Sequence, residues 1–299
     1  MYTIAALYHF TPLSDLPALQ KDIKSLCEAQ GIKGTLLLAK EGINGTISGT
    51  ATAIDAFLNA LAERQVFDGL SWKLSHSPDN PFGRLKVRLK NEIVTMGQPD
   101  IDPRNSVGTY VDPDQWNDLI ASDDVVVIDT RNDYEVAIGT FEGAVNPETK
   151  SFREFPEWWD ANKQRFENQR IAMFCTGGIR CEKSTSYLVE QGVKDVFHLK
   201  GGILKYLEEV PEDASTWVGD CFVFDGRVSV GHGLKIGPHQ LCHGCRQPIL
   251  PEDVKRPEYE AGVSCHNCFS ETSNEDKARF RERQKQLMLE KARAKHGAS

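Results

Sequence analysis

The sequence predicts a multidomain α/β protein, and three observations predict it. Residues 1–95 run strand, helix, strand, strand, helix, strand. Residues 107–212 alternate β-branched runs with helical patterns, which argues for a parallel sheet. After residue 212 the alternation breaks: 213–272 is turn-rich and carries two Cys-x-x-Cys pairs, and 273–299 is a charged basic tail. A chain of 299 residues has room for two or three such domains.

Taken in order, Thr3 to Phe10 is a β-rich run. Ser14 or Asp15 can cap a helix to about Ala29, which Gly31 stops. Ile32 to Ala39 is a second strand, Gly42-Ile-Asn-Gly45 is turn chemistry, and Thr46 to Gly49 returns as a strand. Thr52 to Arg64 is an amphipathic helix with Ile54, Phe57, Leu58 and Leu61 on one face, followed by a strand over Leu70–Ser75. This order is the ferredoxin-like arrangement, also used by acylphosphatases. Next, Arg84-Leu-Lys-Val-Arg-Leu-Lys90 alternates strictly. Leu85, Val87 and Leu89 are expected to be buried, with Arg84, Lys86, Arg88 and Lys90 as a basic stripe that is either a solvated face or a grip for RNA.

Met96 to Asp114 reads as a Gly-, Pro- and Asp-rich linker. Val125-Val-Val-Ile-Asp129 is a buried parallel strand, Phe152 to Phe166 is mostly helical, and Arg170 to Phe174 is a strand feeding Cys175. Glu182 to Gln191 is a helix, Val196 to Leu199 a strand, and Gly202 to about Glu209 another helix. From Trp217 only short strand-like pieces remain, until the charged helical pattern that starts near Asn274.

The chemistry concentrates at Cys175-Thr-Gly-Gly-Ile-Arg180-Cys181. A strand ends on the thiol and a helix begins just beyond it. Amides of Thr176, Gly177, Gly178 and Ile179 can form a nest around an anion, and the helix dipole and Arg180 favour negative charge there. Such surroundings lower a thiol pKa. The bland alternative is a structural cysteine beside a tight turn. Cys181 either resolves an oxidised or persulfidated Cys175 or packs as a small apolar residue. Glu182 and Lys183 are expected to cap or solvate the first turn. With four residues between Cys175 and Arg180, the loop is one residue short of a tyrosine-phosphatase cradle.

Cys242-His-Gly-Cys245 and Cys265-His-Asn-Cys268 are separated by nineteen residues, the spacing of a four-thiolate structural zinc site. His232, His239, His243 and His266 are expected at the surface, and Cys221 and Cys27 as core residues. The net charge of −8 does not suggest a general nucleic-acid binder, yet Glu271–Ser299 holds eight Lys/Arg against five Asp/Glu. No apolar run is long enough for a bilayer, no signal peptide is apparent, and paired cysteines fit a reducing compartment, so a cytoplasmic protein without membrane partners is expected.

Asp129-Thr-Arg-Asn-Asp-Tyr-Glu135, Phe141-Glu-Gly-Ala-Val-Asn, Cys175-Thr-Gly-Gly-Ile-Arg180 and Leu199-Lys-Gly-Gly-Ile-Leu resemble the successive motifs of a rhodanese domain, over about Val107 to Val210. The resemblance implies a persulfide-forming Cys175 within loop amides and Arg180, with Asp129 and Arg131 supporting the loop. With Glu41-Gly-Ile-Asn-Gly45, the Cys-Thr-Gly-Gly-Ile-Arg-Cys-Glu-Lys run and the cysteine-rich C-terminus, nearly the whole chain resembles the rhodanese-containing tRNA uridine hydroxylase family, TrhO. That resemblance implies an acylphosphatase-like domain, a rhodanese-like domain, tRNA as partner, and oxygen-dependent conversion of wobble uridine to 5-hydroxyuridine. Cys175, Arg180 and Cys181 are the expected catalytic residues and molecular oxygen the cosubstrate; no flavin or nicotinamide fingerprint is apparent. The alternatives are a sulfurtransferase working through a Cys175 persulfide and a zinc-stapled RNA-binding adaptor without catalysis. Oligomeric state leaves no signal in the sequence.

Overall fold

The computed structural model describes residues 1–296. Its first sheet has the order β4-β1-β3-β2-β5, from β1 (Tyr2–Phe10), β2 (Lys33–Ala39), β3 (Gly42–Gly49), β4 (Ser71–Ser77) and β5 (Leu85–Leu89). Helices α1 (Leu16–Ala29) and α2 (Ala51–Ala62) pack on one face. Asp15 and Thr50 cap them, each accepting the backbone N–H three residues on. Leu7, Leu36, Leu38, Ile43, Ile47, Ile54, Phe57 and Leu61 form the core between sheet and helices. The opposite face of the sheet carries Tyr8 and Lys73.

Two expectations change here. Gly42-Ile-Asn-Gly45 is not a turn but the first half of β3. A Cβ at Gly45 would run into the Thr35 carbonyl and Leu36 Cα, so the glycine serves close strand approach. Leu89 is 39% exposed because it ends an edge strand, while Leu85 and Val87 pack on the core as expected.

The second sheet is wholly parallel, with order β6-β10-β9-β7. Its chain order is β6 (Thr109–Val111), α3 (Pro113–Ile120), β7 (Val125–Asp129), α4 (Asp133–Val136), β8 (Gly139–Phe141), α5 (Phe155–Asn162), β9 (Arg170–Phe174), α6 (Ile179–Glu190), β10 (Val196–Leu199) and α7 (Gly202–Glu209). One core cluster gathers Trp159, Ile171, Met173 and Leu188, and a second gathers Trp116, Phe141, Phe174, Ile203 and Tyr206. The expected linker Met96–Asp114 is largely irregular, but it is not a free tether. Met96 and Ile101 enter the second-sheet core, and β6 and the start of α3 fall within it. Apolar burial fixes the segment in place.

The segment 213–235, expected to belong to the cysteine-rich region, packs with the first 212 residues instead. Here β11 (Trp217–Gly219) pairs with β8, and β12 (Cys221–Phe222) pairs with β13 (Ser229–Val230). Trp217, Cys221, Val223 and Val230 complete the core around Phe141. The chain divides after Lys235 into two compact units. The second unit holds β14 (Gln240–Leu241), β15 (Pro248–Ile249), the four paired cysteines and α8 (Asn274–His296). Of the basic tail expected over 273–299, residues 297–299 lie outside the described residues. Among the described residues no helix is long and apolar enough to cross a membrane.

Lys183 was expected in solvent at the start of α6; it is fully buried. Its ammonium donates to Glu41 Oε2 at 2.7 Å and Glu92 Oε1 at 2.8 Å. Glu41 in turn accepts from Ile93 N–H, and Glu92 from Met96 and Gly97 N–H. This network ties the β2–β3 turn and the 92–97 segment to α6, and so seats the first sheet on the second.

Candidate active site and metal centre

Strand β9 delivers Cys175 to the centre of the parallel sheet, and α6 starts four residues later. Gly178 adopts φ 105°, a conformation that favours glycine, and turns its N–H onto Cys175 Sγ at 3.1 Å. Cys175 and Cys181 are both without exposed surface. Burial works against a charged thiol, but the Cys181 S–H, the Arg180 charge, and the N–H groups of Cys181 and Gly178 outweigh it, holding Cys175 down at about 5. Cys181 moves the other way: burial and the adjoining Cys175 sulfur push its pKa up, and Thr130 Oγ1 lies 3.5 Å from its sulfur. The predicted loop is therefore a thiolate cradle.

Arg180 was expected to add a fixed charge to this loop, and its charge does favour the Cys175 thiolate, though not by contact with the sulfur. Instead its guanidinium grips the buried Glu135 carboxylate at 2.7 and 2.8 Å and donates to Thr176 Oγ1. The Thr176 hydroxyl is also 3.3 Å from Glu135. Arg180 thus shapes the loop and acts on Cys175 through space. Beneath it, Arg131 donates twice to Asp129 and also to the Glu135 and Gly139 carbonyls, all without solvent contact. Asp129 and Arg131 brace the turn that presents Glu135. Ile179 is half-buried, and Gly177 offers its carbonyl upward.

That carbonyl meets the feature sequence reasoning missed. Lys73 of β4 donates to Gly177 O at 2.8 Å. Tyr8 of β1 donates to Glu182 Oε1 at 2.7 Å, and a Cβ at Gly178 would lie 2.8 Å from the Tyr8 hydroxyl. Glu182 was expected to cap or solvate; it is half-buried between Tyr8 and Tyr110, and burial raises its pKa. Burial lowers Lys73 to about 8, against the opposing pull of Cys175. The exposed face of the first sheet therefore roofs the cysteine loop. Tyr8 and Lys73 sit at alternating positions of β-runs that give no local hint of a site. Glu135 lay inside a noted motif, but its partner Arg180 is 45 residues away.

The basic strand shares that face. Pairing registers run Lys73–Ala6–Thr46–Thr35–Lys86 and Tyr8–Asn44–Leu37–Arg88 across neighbouring strands. At ~4.8 Å per strand, Lys86 lies roughly 19 Å from Lys73, and Arg88 roughly 14 Å from Tyr8. Arg84, Arg88 and Lys90 are exposed and Lys86 is half-buried. A groove of about 470 Å³ at this edge is lined by Lys21, Lys24, Lys86 and Arg88.

In the second unit, the sulfurs of Cys242, Cys245, Cys265 and Cys268 lie within 4.8 Å of one another. Two of the separations are 3.8 Å (Cys245–Cys265) and 4.0 Å (Cys265–Cys268). A tetrahedral zinc with ~2.3 Å Zn–S bonds requires sulfurs about 3.8 Å apart. The four-sulfur set therefore fits a metal such as zinc. Cys221 is in the first unit, where burial pushes its pKa up to about 12; Cys27 is likewise buried and pushed up to about 12.

Residues 2–93 match the family model of the UPF0176 acylphosphatase like domain, and residues 112–209 match the Rhodanese-like domain. A tRNA uridine(34) hydroxylase of Roseobacter denitrificans is 66% identical over 295 residues, covering 99% of this chain and 100% of that protein. Proteins of the same name from Ruegeria pomeroyi and Agrobacterium fabrum are 69% and 57% identical, each over 98% of this chain and over 97% and 93% of their own lengths.

Proposed function

Because the chain belongs to the tRNA uridine(34) hydroxylase family, we propose that it hydroxylates C5 of the wobble uridine of tRNA, with dioxygen as cosubstrate and Cys175 as the attacking group. The observation that carries this reading is the composite site: a thiolate cradle roofed by Tyr8 and Lys73 from a sheet face that continues to a basic edge. A nucleic-acid substrate accounts for the basic edge and the second domain together. A small sulfur donor requires neither.

Uracil is electrophilic at C6. Addition of the Cys175 thiolate there makes C5 enolate-like and reactive toward oxygen, and elimination of the thiolate releases the product. The Gly178 N–H holds the sulfur, the Arg180 charge favours its anion through space, and Glu182, with Tyr8, is assigned to proton transfer beside the loop. Since Cys175 has no exposed surface, entry of the base displaces part of the Tyr8 and Lys73 roof. We assign Arg84, Lys86, Arg88 and Lys90 to phosphate contacts, and a structural zinc to Cys242, Cys245, Cys265 and Cys268, where it would tie two chain segments together. A tRNA substrate sets the reaction in the cytoplasm.

Nucleoside mass spectrometry of tRNA from cells whose sole copy carries Cys175→Ser tests the reading. Loss of 5-hydroxyuridine is expected, and unchanged levels overturn it. Rapid thiosulfate-to-cyanide sulfur transfer with no effect on tRNA would favour the sulfurtransferase instead.

A further inference from the structure

Replacing C5–H of uracil by C5–OH with dioxygen places one oxygen atom in the product and sends the other to water. That balance requires two electrons and two protons beyond those of the base. The geometry points to Cys181 as the partner of Cys175 in a dithiol that supplies them, ending each turnover as a Cys175–Cys181 disulfide. The inference rests on the hydroxylation proposed above and names its reductant.

Three observations carry it. The Thr130 hydroxyl that lies 3.5 Å from the Cys181 sulfur also donates to the carbonyl of Phe174, the residue before Cys175, and both cysteines belong to one buried cluster, so the second sulfur sits directly behind the reacting residue. Cys181 has no exposed surface and packs in the buried cluster that also holds Cys175, so a small oxidised species formed beside Cys175 is its natural reaction partner. Cys181 also stands in the first turn of α6, a fixed element, while Cys175 stands at its mouth. One ionised and one protonated sulfur is the pairing that dithiol redox chemistry uses.

The steps balance. Cys175 S⁻ bonds to C6, and the C5 carbanion takes up dioxygen, which becomes a C5 hydroperoxide after protonation. The Cys181 sulfur attacks the distal oxygen: the O–O bond breaks, C5 keeps a hydroxyl, and Cys181 is oxidised to a sulfenic acid. Loss of the C5 proton expels Cys175 S⁻ from C6 and restores the double bond as 5-hydroxyuridine. Cys175 S⁻ then attacks the Cys181 sulfur, releasing water and forming the disulfide. In sum, uridine, dioxygen and two thiols give 5-hydroxyuridine, water and one disulfide. An external thiol resets the pair.

The test is a single turnover of the full-length protein. Enzyme is reduced, freed of reductant, mixed with unmodified tRNA in aerated buffer, quenched in acid and mapped by peptide mass spectrometry after alkylation. The expected result is one Cys175–Cys181 disulfide for each 5-hydroxyuridine formed, with multiple turnovers only after dithiothreitol is added. Product accompanied by two alkylatable thiols overturns the proposal and leaves the hydroxylase reading standing. No product from the wild-type chain even with dithiothreitol overturns both. Cys181→Ser, checked for an unchanged melting profile, is expected to bind tRNA normally but to lose about tenfold or more of its single-turnover yield. A normal yield without added thiol overturns the dithiol role.

Discussion

Cys175 is a buried sulfur kept charged by its neighbours, and each neighbour carries a separable part of that effect. Lys73 is the contributor from the other domain. Its ammonium is held over the Gly177 carbonyl, and burial brings its own pKa to about 8, so it begins to lose its charge just above neutral pH. The thiolate, in contrast, is present above about 5. Cys175 reactivity is therefore expected to rise through the mildly acidic range and to level off above it. Lys73→Met removes a positive charge from beside the sulfur, which raises the thiol pKa and moves that rise to higher pH. Site-resolved alkylation of Cys175 against pH reads the shift, and superimposable profiles for wild type and variant would show that Lys73 has no electrostatic role.

The start of α6 concentrates the site into a single helical turn. Arg180, Cys181, Glu182 and Lys183 are consecutive, and at about 100° per residue they point in four directions. Arg180 reaches Glu135, Cys181 meets Thr130 in the cluster that holds Cys175, Glu182 reaches Tyr8, and Lys183 reaches Glu41 and Glu92. The thiol, the glycine turn and Arg180 were legible in the sequence because their chemistry is local to one loop. Glu182 and Lys183 were not, because charged residues in a first helical turn are ordinarily solvated. Only the first sheet, seated on the helix, makes them interior. The same reason hid Tyr8 and Lys73, whose strands read as plain alternation until a second domain covers one face. Lys183→Met tests the seating. It leaves two carboxylates at a buried position with no cation, a change that costs about 3–5 kcal/mol. A lower urea midpoint at pH 7 is expected, with a smaller deficit near pH 4, where the stranded Glu92 takes up the proton that Lys183 helps keep off it in the wild type. Equal loss at both pH values would mean that packing, and not charge, is what Lys183 supplies.

At the scale of the molecule, one sheet does two jobs on one face: its β1 and β4 side roofs the cysteine loop, and its β5 edge is basic. The domain series was readable from periodicity. The placement of 213–235 with the first unit was not, since its strands are only two or three residues long and find partners far back in the chain. The second unit depends on different physics. Its small core is built around four sulfurs, so chelation of the metal is expected to expose Cys242, Cys245, Cys265 and Cys268 to alkylation and to speed hydrogen exchange over 236–273. Failure to recover about one zinc per chain from the purified protein would remove that expectation. The basic edge makes its own prediction. Lys86 and Arg88 sit in the same cross-strand rows as Lys73 and Tyr8, so on the proposed reading a tRNA whose wobble base enters beneath the roof is expected to carry neighbouring phosphates along those rows. Each phosphate contact contributes roughly 0.7–0.9 to the slope of log K against log salt. Replacing both Lys86 and Arg88 by Gln is therefore expected to weaken tRNA binding at low salt and to reduce that slope by about 1.5. The pH profile of Cys175 alkylation should stay where it is, because these side chains lie roughly 14 Å or more from the roof. A slope unchanged by the double substitution would place the RNA path elsewhere on the protein.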